Sequence, residues 1–88
     1  MNWVVELSAS AIKDLKKLPR DRQAQIARAI DEMEFDPTAG DVIRLKGRDW
    51  ENHYRKRVGP YRIIFAFDRQ SMIVSVSAIL VRSEKTYR

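Results

Sequence analysis

The stretch HYRKRVGPYRIIFAF, residues 53–67, decides the fold because its pattern is that of a β-hairpin. Two runs of strand-forming residues flank Gly59-Pro60, a pair typical of a tight turn. In the second run, large apolar side chains recur at every second position, at Tyr61, Ile63, Phe65 and Phe67. Side chains alternate across a strand, so this set predicts one apolar face that packs against the rest of the protein.

The same hairpin carries four cationic residues, Arg55, Lys56, Arg57 and Arg62. No acidic residue occurs between Glu51 and Asp68 to neutralise them. Alternation places His53, Arg55 and Arg57 on one face, and pairing across the turn adds Arg62 to it. Clustered like charges destabilise a sheet, which favours an anionic ligand on an uncovered face. A face that is simply solvated remains the alternative.

The elements before and after the hairpin predict the fold class. Trp3–Leu7 is a β-type run, and Ser8 is a helix N-cap before an apolar stripe at Ala11, Ile12, Leu15 and Leu18. Pro19 separates this helix from a second one over residues 20–34. The apolar stripe predicted for the second helix consists of Ala27, Ile30 and Met33, preceded by Ala24 or Ile26.

Strands dominate after the break at Asp36-Pro37. They are predicted over residues 42–46, 53–58, 61–67 and 72–80. The order β-α-α-β-β-β(-β) predicts an α+β fold in which a helical hairpin packs on one face of a mostly antiparallel sheet.

Length and composition predict a single domain over residues 1–88. The chain is 44% hydrophobic, lacks cysteine and has no apolar run long enough for a membrane span. The N-terminus lacks the basic region of a signal peptide, so we expect a cytoplasmic protein. Residues 37–88 hold eleven Lys/Arg against five Asp/Glu, whereas residues 1–36 hold six against seven. A basic excess confined to one part of the chain suits nucleic acid or an acidic protein partner.

Several other chemistries lack the residues that they need. One histidine without cysteine provides no zinc-type ligand spacing, and three isolated glycines make no phosphate-binding loop. His53 and Glu51 are the candidates for a general base, although a lone strand histidine is more often structural. Trp3 and Trp50 are interpreted as packing residues rather than as platforms for base stacking.

Taken together, these motifs resemble the RelE/ParE superfamily, the toxins of type II toxin–antitoxin modules. The resemblance spans almost the whole chain, through the SASAIKDLKKLP helix, the DP turn, the RLKG segment, the YRKRVGPYRIIF hairpin and the RSEKTYR tail. The R-x-R-V-G-x-Y-R pattern is its most specific part.

The resemblance implies ribosome-dependent, metal-independent cleavage of messenger RNA, in which the ribose 2′-OH attacks the adjacent phosphate. Carried over to this chain, Arg55 and Arg57 bind the RNA backbone and Arg62 stabilises the transition state. Arg82 is a further phosphate contact or acid, and Tyr87 stacks on a base or orients the 2′-OH. The remaining expected RNA contacts are Arg44, Lys46, Arg48 and Lys85.

The spacing of the tail and the choice of arginine depart from the pattern of many relatives. Arg82 and Tyr87 are five residues apart rather than four, and Arg55 and Arg57 replace lysines. Arginine is a poor proton donor or acceptor, so the general base stays open.

The resemblance also implies partners. We expect a cognate antitoxin, the ribosome and messenger RNA as partners, with no cofactor and no membrane. ParE-like relatives inhibit DNA gyrase instead of cutting RNA, and an inactive toxin that only binds its antitoxin is a third reading.

Overall fold

A computed structural model describes residues 2–81 as two helices and five strands. In chain order these are β1 (Val4–Leu7), α1 (Ala9–Lys16), α2 (Arg20–Phe35), β2 (Val42–Arg44), β3 (Tyr54–Val58), β4 (Tyr61–Asp68) and β5 (Ile73–Val81). A 3₁₀ turn, Arg48–Trp50, lies between β2 and β3. The predicted α+β class is confirmed, and no helix of the described part is long and apolar enough to cross a membrane.

The strands form one sheet in the order β1-β5-β4-β3-β2. All neighbours are antiparallel except β1 and β5, which pair in parallel with Val5 beside Val74. An irregularity between Ile64 and Phe65 shifts the β4–β5 register. The sheet therefore places the hairpin of β3 and β4 between the edge strand β2 and the long strand β5.

Local signals set the ends of the helices. The Ser8 Oγ accepts a hydrogen bond from the Ala11 N–H at 3.0 Å, as expected of an N-cap, and it donates to the Ser77 carbonyl at 3.1 Å. After α2, the Asp36 carboxylate accepts from the Thr38 hydroxyl at 2.7 Å and from the Thr38 N–H at 2.9 Å. These two hydrogen bonds lower the pKa of Asp36 and stabilise the turn that ends the helix.

The buried stripe of α2 differs from the predicted one. Ile26, Ala29 and Met33 are buried, whereas Ala24 and Ala27 are exposed. The buried residues are three and four positions apart, which is the spacing of one helical face, and Ala27 lies about 100° away from Ile26. Because alanine is small enough for either a buried or an exposed position, the alanines of α2 did not indicate which side of the helix faces the core.

The core lies between the helices and one face of the sheet. Ile63 and Phe65 of β4 are fully buried, as the alternation in the hairpin predicted. They pack in one cluster with Trp3 before β1, with Tyr61 of β4, and with residues from both helices and from β5, namely Ala11, Ile26, Ala29, Met33, Val74, Val76 and Ile79.

The sheet face opposite the helices was predicted to be exposed to solvent. This prediction is wrong for the middle of the hairpin. Ile64 is fully buried there, and Arg55, which lies directly opposite it in the register, is only 8% exposed. The aliphatic stem of an arginine shields apolar neighbours while its head group stays polar, so charge and burial coexist on this face.

Candidate nucleic-acid interface

The register of the hairpin brings two arginines face to face. Arg57 of β3 lies directly opposite Arg62 of β4, next to a turn in which Gly59 has φ +56°. The Arg57 N–H donates to the Asp41 carbonyl at 2.9 Å, on the side away from β4. The Arg57–Arg62 pair is therefore not hydrogen-bonded through the backbone, and in such pairs the facing side chains lie closest.

Arg55 occupies the same face two residues earlier, between Ile43 of β2 and Ile64 of β4. We name the surface formed by Arg55, Arg57 and Arg62 the arginine face. Its members differ in access to solvent, because the Arg55 side chain is 10% exposed and the Arg57 side chain 39%. Arg57 is thus more open to an external anion than Arg55, whereas Nε and Nη1 of the half-buried Arg62 are buried.

Asp41 is an acidic neighbour of the arginine face that the sequence reading did not identify. Its Oδ1 lies 3.3 Å from Arg55 Nη1, and its Oδ2 lies 3.9 Å from Arg57 Nε. Asp41 is 14 residues before Arg55 in the chain, and only the β2–β3 pairing brings them together. The hairpin has no internal acid, but one reaches it from the sheet edge.

Lys56 lies on the other face of β3 and does not belong to this surface. Its ammonium group is buried beneath α2, where it forms an ion pair with Glu32 and donates to the Ala39 carbonyl at 2.7 Å. A Cβ at Gly40, which has φ +83°, would lie 2.9 Å from the Lys56 nitrogen. One of the four hairpin cations therefore holds the helix to the sheet.

His53 precedes β3 and has a defined ring orientation. Its Nδ1 lies 3.0 Å from the Glu51 carbonyl, and its ring meets the Trp50 ring edge-on, with centroids 6.0 Å apart. A carbonyl oxygen only accepts hydrogen bonds, so Nδ1 carries the proton. In the neutral ring Nε2 is then free to accept a proton, as a general base requires.

The His53 side chain lines a shallow cavity of about 270 Å³ on the sheet. Its lining includes the small residues Ala66 of β4 and Ser75 of β5, and also Glu6 of β1. Ala66 and Ser75 are paired in the register and belong to the face opposite the core. By strand alternation this is also the face of the arginines, so the cavity lies on the same side of the sheet as the arginine face.

The other predicted RNA contacts are not gathered there. Arg44 pairs with Tyr54, whose ring stacks on Phe65, so it belongs to the helix-covered face, and its Nη2 donates to the Asn52 Oδ1 at 3.5 Å. Lys46 and Arg48 are exposed between β2 and β3. Predicted residues of the tail, Arg82, Lys85 and Tyr87, lie outside the described residues.

The tryptophan predictions have different outcomes. Trp3 is 9% exposed and meets Phe67 edge-on at 5.6 Å, which confirms its packing role. Trp50 is half-buried and contacts His53. It therefore supports the histidine rather than the core.

A family model describes the chain over residues 5–86, and that family is the ParE toxin of type II toxin–antitoxin systems, parDE. Among curated proteins no sequence matches. The model covers both helices and the strand residues from Val5 onward, so it bears on the whole fold rather than on the hairpin alone.

Solved structures of toxins share the fold. The archaeal RelE–RelB complex from Pyrococcus horikoshii OT3 contains a chain that is 25% identical, with a TM-score of 0.83 over 96% of this chain and 99% of that one. The RelBE2 complex from Mycobacterium tuberculosis matches at 23% identity and a TM-score of 0.78, over 93% and 100% of the two chains. A YoeB/ParE toxin from Agrobacterium tumefaciens matches at 16% identity and 0.76, over 91% and 99%.

Proposed function

We propose that this chain, which belongs to the ParE toxin family of type II toxin–antitoxin systems within the RelE/ParE superfamily, cleaves messenger RNA on the ribosome. The observation that carries the proposal is the arginine face. Arg57 and Arg62 stand opposite each other on exposed and half-exposed positions. Two facing cations destabilise a sheet, and a bound phosphodiester offsets that repulsion.

The proposed reaction breaks one phosphodiester without a metal ion. His53 Nε2 accepts the proton of the ribose 2′-OH, and the 2′-oxygen attacks the adjacent phosphorus. The bond from phosphorus to the 5′-oxygen then breaks, and this oxygen takes a proton from water, while the proton held by His53 neutralises the hydroxide that the water leaves and restores the free base. The products are a 2′,3′-cyclic phosphate and a 5′-hydroxyl end.

The arginines act on charge rather than on protons in this scheme. Arg57 and Arg62 contact the non-bridging oxygens, on which negative charge increases in the transition state. Arg55 is nearly buried, and we propose that it binds the RNA backbone together with Arg57 through the Nη1 group that contacts Asp41. Arg82 and Tyr87 keep their proposed roles, Arg82 as a phosphate contact or acid and Tyr87 in stacking or in orienting the 2′-OH.

An antitoxin is the partner proposed for the resting toxin. The similar structure from M. tuberculosis is a toxin–antitoxin complex and that from P. horikoshii is a RelE–RelB complex, which supports an equivalent partner here. An acidic segment of such a partner would neutralise the arginine face, so its affinity should fall as salt screens the charges.

Expression of the toxin alone tests the function. We expect growth arrest, with new 5′ ends within translated messenger RNA that primer extension detects and that vanish when translation initiation is blocked. Gyrase inhibition is the second candidate, because the matching family model is that of ParE. If messenger RNA stayed intact and the toxin stopped purified gyrase from supercoiling DNA, gyrase inhibition would be the function instead of RNA cleavage.

The role of His53 predicts a defined kinetic change. In His53→Ala the general base is lost, so turnover should fall by about 10²-fold or more while KM changes little. Added imidazole should restore part of the turnover, because it supplies the missing base at the cavity. Ser75→Ala, a variant in the same cavity, is the control and should keep the wild-type rate. If His53→Ala kept the wild-type turnover, another residue would have to be the general base.

A further inference from the structure

We propose that Asp41 is a built-in competitor for RNA, a carboxylate that holds the position of a backbone phosphate between Arg55 and Arg57. The proposal rests on the proposed function and adds to it a residue that sets affinity for single-stranded RNA. On binding, a phosphodiester displaces the Asp41 side chain and takes over its arginine contacts.

The contacts of Asp41 are those expected of a phosphate. Its two carboxylate oxygens are divided between two guanidinium groups, one to Arg55 at 3.3 Å and one to Arg57 at 3.9 Å. A phosphodiester also presents two non-bridging oxygens to paired arginines. Both distances exceed the 2.7–2.9 Å of a strong charge-assisted hydrogen bond, so the carboxylate is loosely held.

The backbone of Asp41 is anchored independently of its side chain. Its carbonyl accepts the Arg57 N–H at 2.9 Å, and the next residue, Val42, begins β2 opposite Lys56. The side chain is 53% exposed. Rotation about its own bonds can therefore release Arg55 and Arg57 without any movement of the sheet.

Charge defines the consequence for binding. With Asp41 in place, one negative charge stands beside the path of the RNA backbone and repels the nearest phosphate. Substitution by asparagine removes this repulsion but keeps a similar shape and an oxygen that accepts from Arg55. RNA should therefore bind the variant more tightly, because one additional phosphate contacts the arginines.

A salt titration with a matched control tests the idea. The probe is a decamer of uridine with 2′-O-methyl groups, which prevents cleavage, and its Kd is measured at several salt concentrations. Asp41→Asn should bind about three- to tenfold more tightly, with the slope of log Kd against log salt steeper by about 0.7, the value for one further phosphate on a single strand. Asp31→Asn, the same charge change at an exposed site on α2, should match the wild type.

Further variants separate the possible failures. If Asp41→Asn lowers the melting temperature, Asp41→Ser replaces it, and Asp41→Glu, which keeps the charge, should retain wild-type affinity. Equal or weaker binding by both neutral variants, or an equal gain in Asp31→Asn, would overturn the competitor role. If Arg57→Gln leaves wild-type binding unchanged, the arginine face is not the RNA site, and the proposed function fails with the inference. If Arg57→Gln weakens binding and Asp41→Asn does not tighten it, only the inference fails.

Discussion

Replacement of both Arg57 and Arg62 by alanine is expected to reduce messenger RNA cleavage by about 10³-fold or more, roughly 4 kcal/mol of transition-state stabilisation. The two residues are paired across the hairpin, so they face the same developing charge on the phosphate. Because their guanidinium groups act mainly after the 2′-oxygen has attacked, the rate of bound RNA cleavage should fall more than its affinity. Single-turnover cleavage on programmed ribosomes measures the two effects separately.

A charge-matched variant controls for net charge. Arg20 and Arg28 are exposed on α2, so the double variant Arg20→Ala/Arg28→Ala also removes two positive charges from the protein, but away from the arginine face. We expect it to cleave within a few-fold of the wild type, and both variants to retain wild-type circular dichroism. Equal losses of cleavage in the two double variants would mean that net charge, and not the arginine face, governs activity.

The largest effect on stability is expected for Phe65→Ala. Phe65 is fully buried in β4 and stacks with Tyr54, with ring centroids 5.7 Å apart. Truncation of a buried phenylalanine costs about 3–5 kcal/mol, because apolar burial is lost and a cavity remains. A domain of this size has a free energy of unfolding of only about 5–15 kcal/mol, so much of its stability disappears. Thermal unfolding should shift down by about 12–40 °C.

Phe35 provides the matched control for this substitution. It is the last residue of α2 and is 67% exposed, so Phe35→Ala removes the same atoms without opening a cavity. We expect the free energy of unfolding to change by no more than about 0.5 kcal/mol. Urea unfolding measures it, and the dependence of this free energy on urea concentration should stay the same. If Phe65→Ala cost no more than Phe35→Ala, the hairpin would not form the centre of the core.

Much of the candidate site was predictable because a strand has a period of two. Knowledge that residues 53–67 form a hairpin suffices to place Arg55 and Arg57 on one face, and a two-residue turn then brings Arg62 opposite Arg57, as the register confirms. The same periodicity places Ile63 and Phe65 in the core. These inferences use only local geometry, which the sequence carries directly.

Helical phase was harder to predict. In α2 the sequence offers alanines at 24, 27 and 29, and a small side chain is compatible with either a buried or an exposed position. The observed stripe of Ile26, Ala29 and Met33 depends on which side of the helix the sheet lies. Tertiary packing decides that side, so the predicted stripe was wrong at Ala24 and Ala27 but right at Met33 and at Ile30, which packs against the core.

The partners of the hairpin cations are the clearest contribution of the tertiary structure. Residue patterns alone established the α+β order of elements, the two faces of the hairpin and the excess of positive charge. It did not determine that Glu32 pairs with Lys56, 24 residues away, or that Asp41 reaches Arg55 and Arg57. Charge is a property of each residue and is visible in the sequence, whereas its neutralisation depends on distance in space. These charges come close together only after α2 has packed on the sheet and β2 has paired with β3.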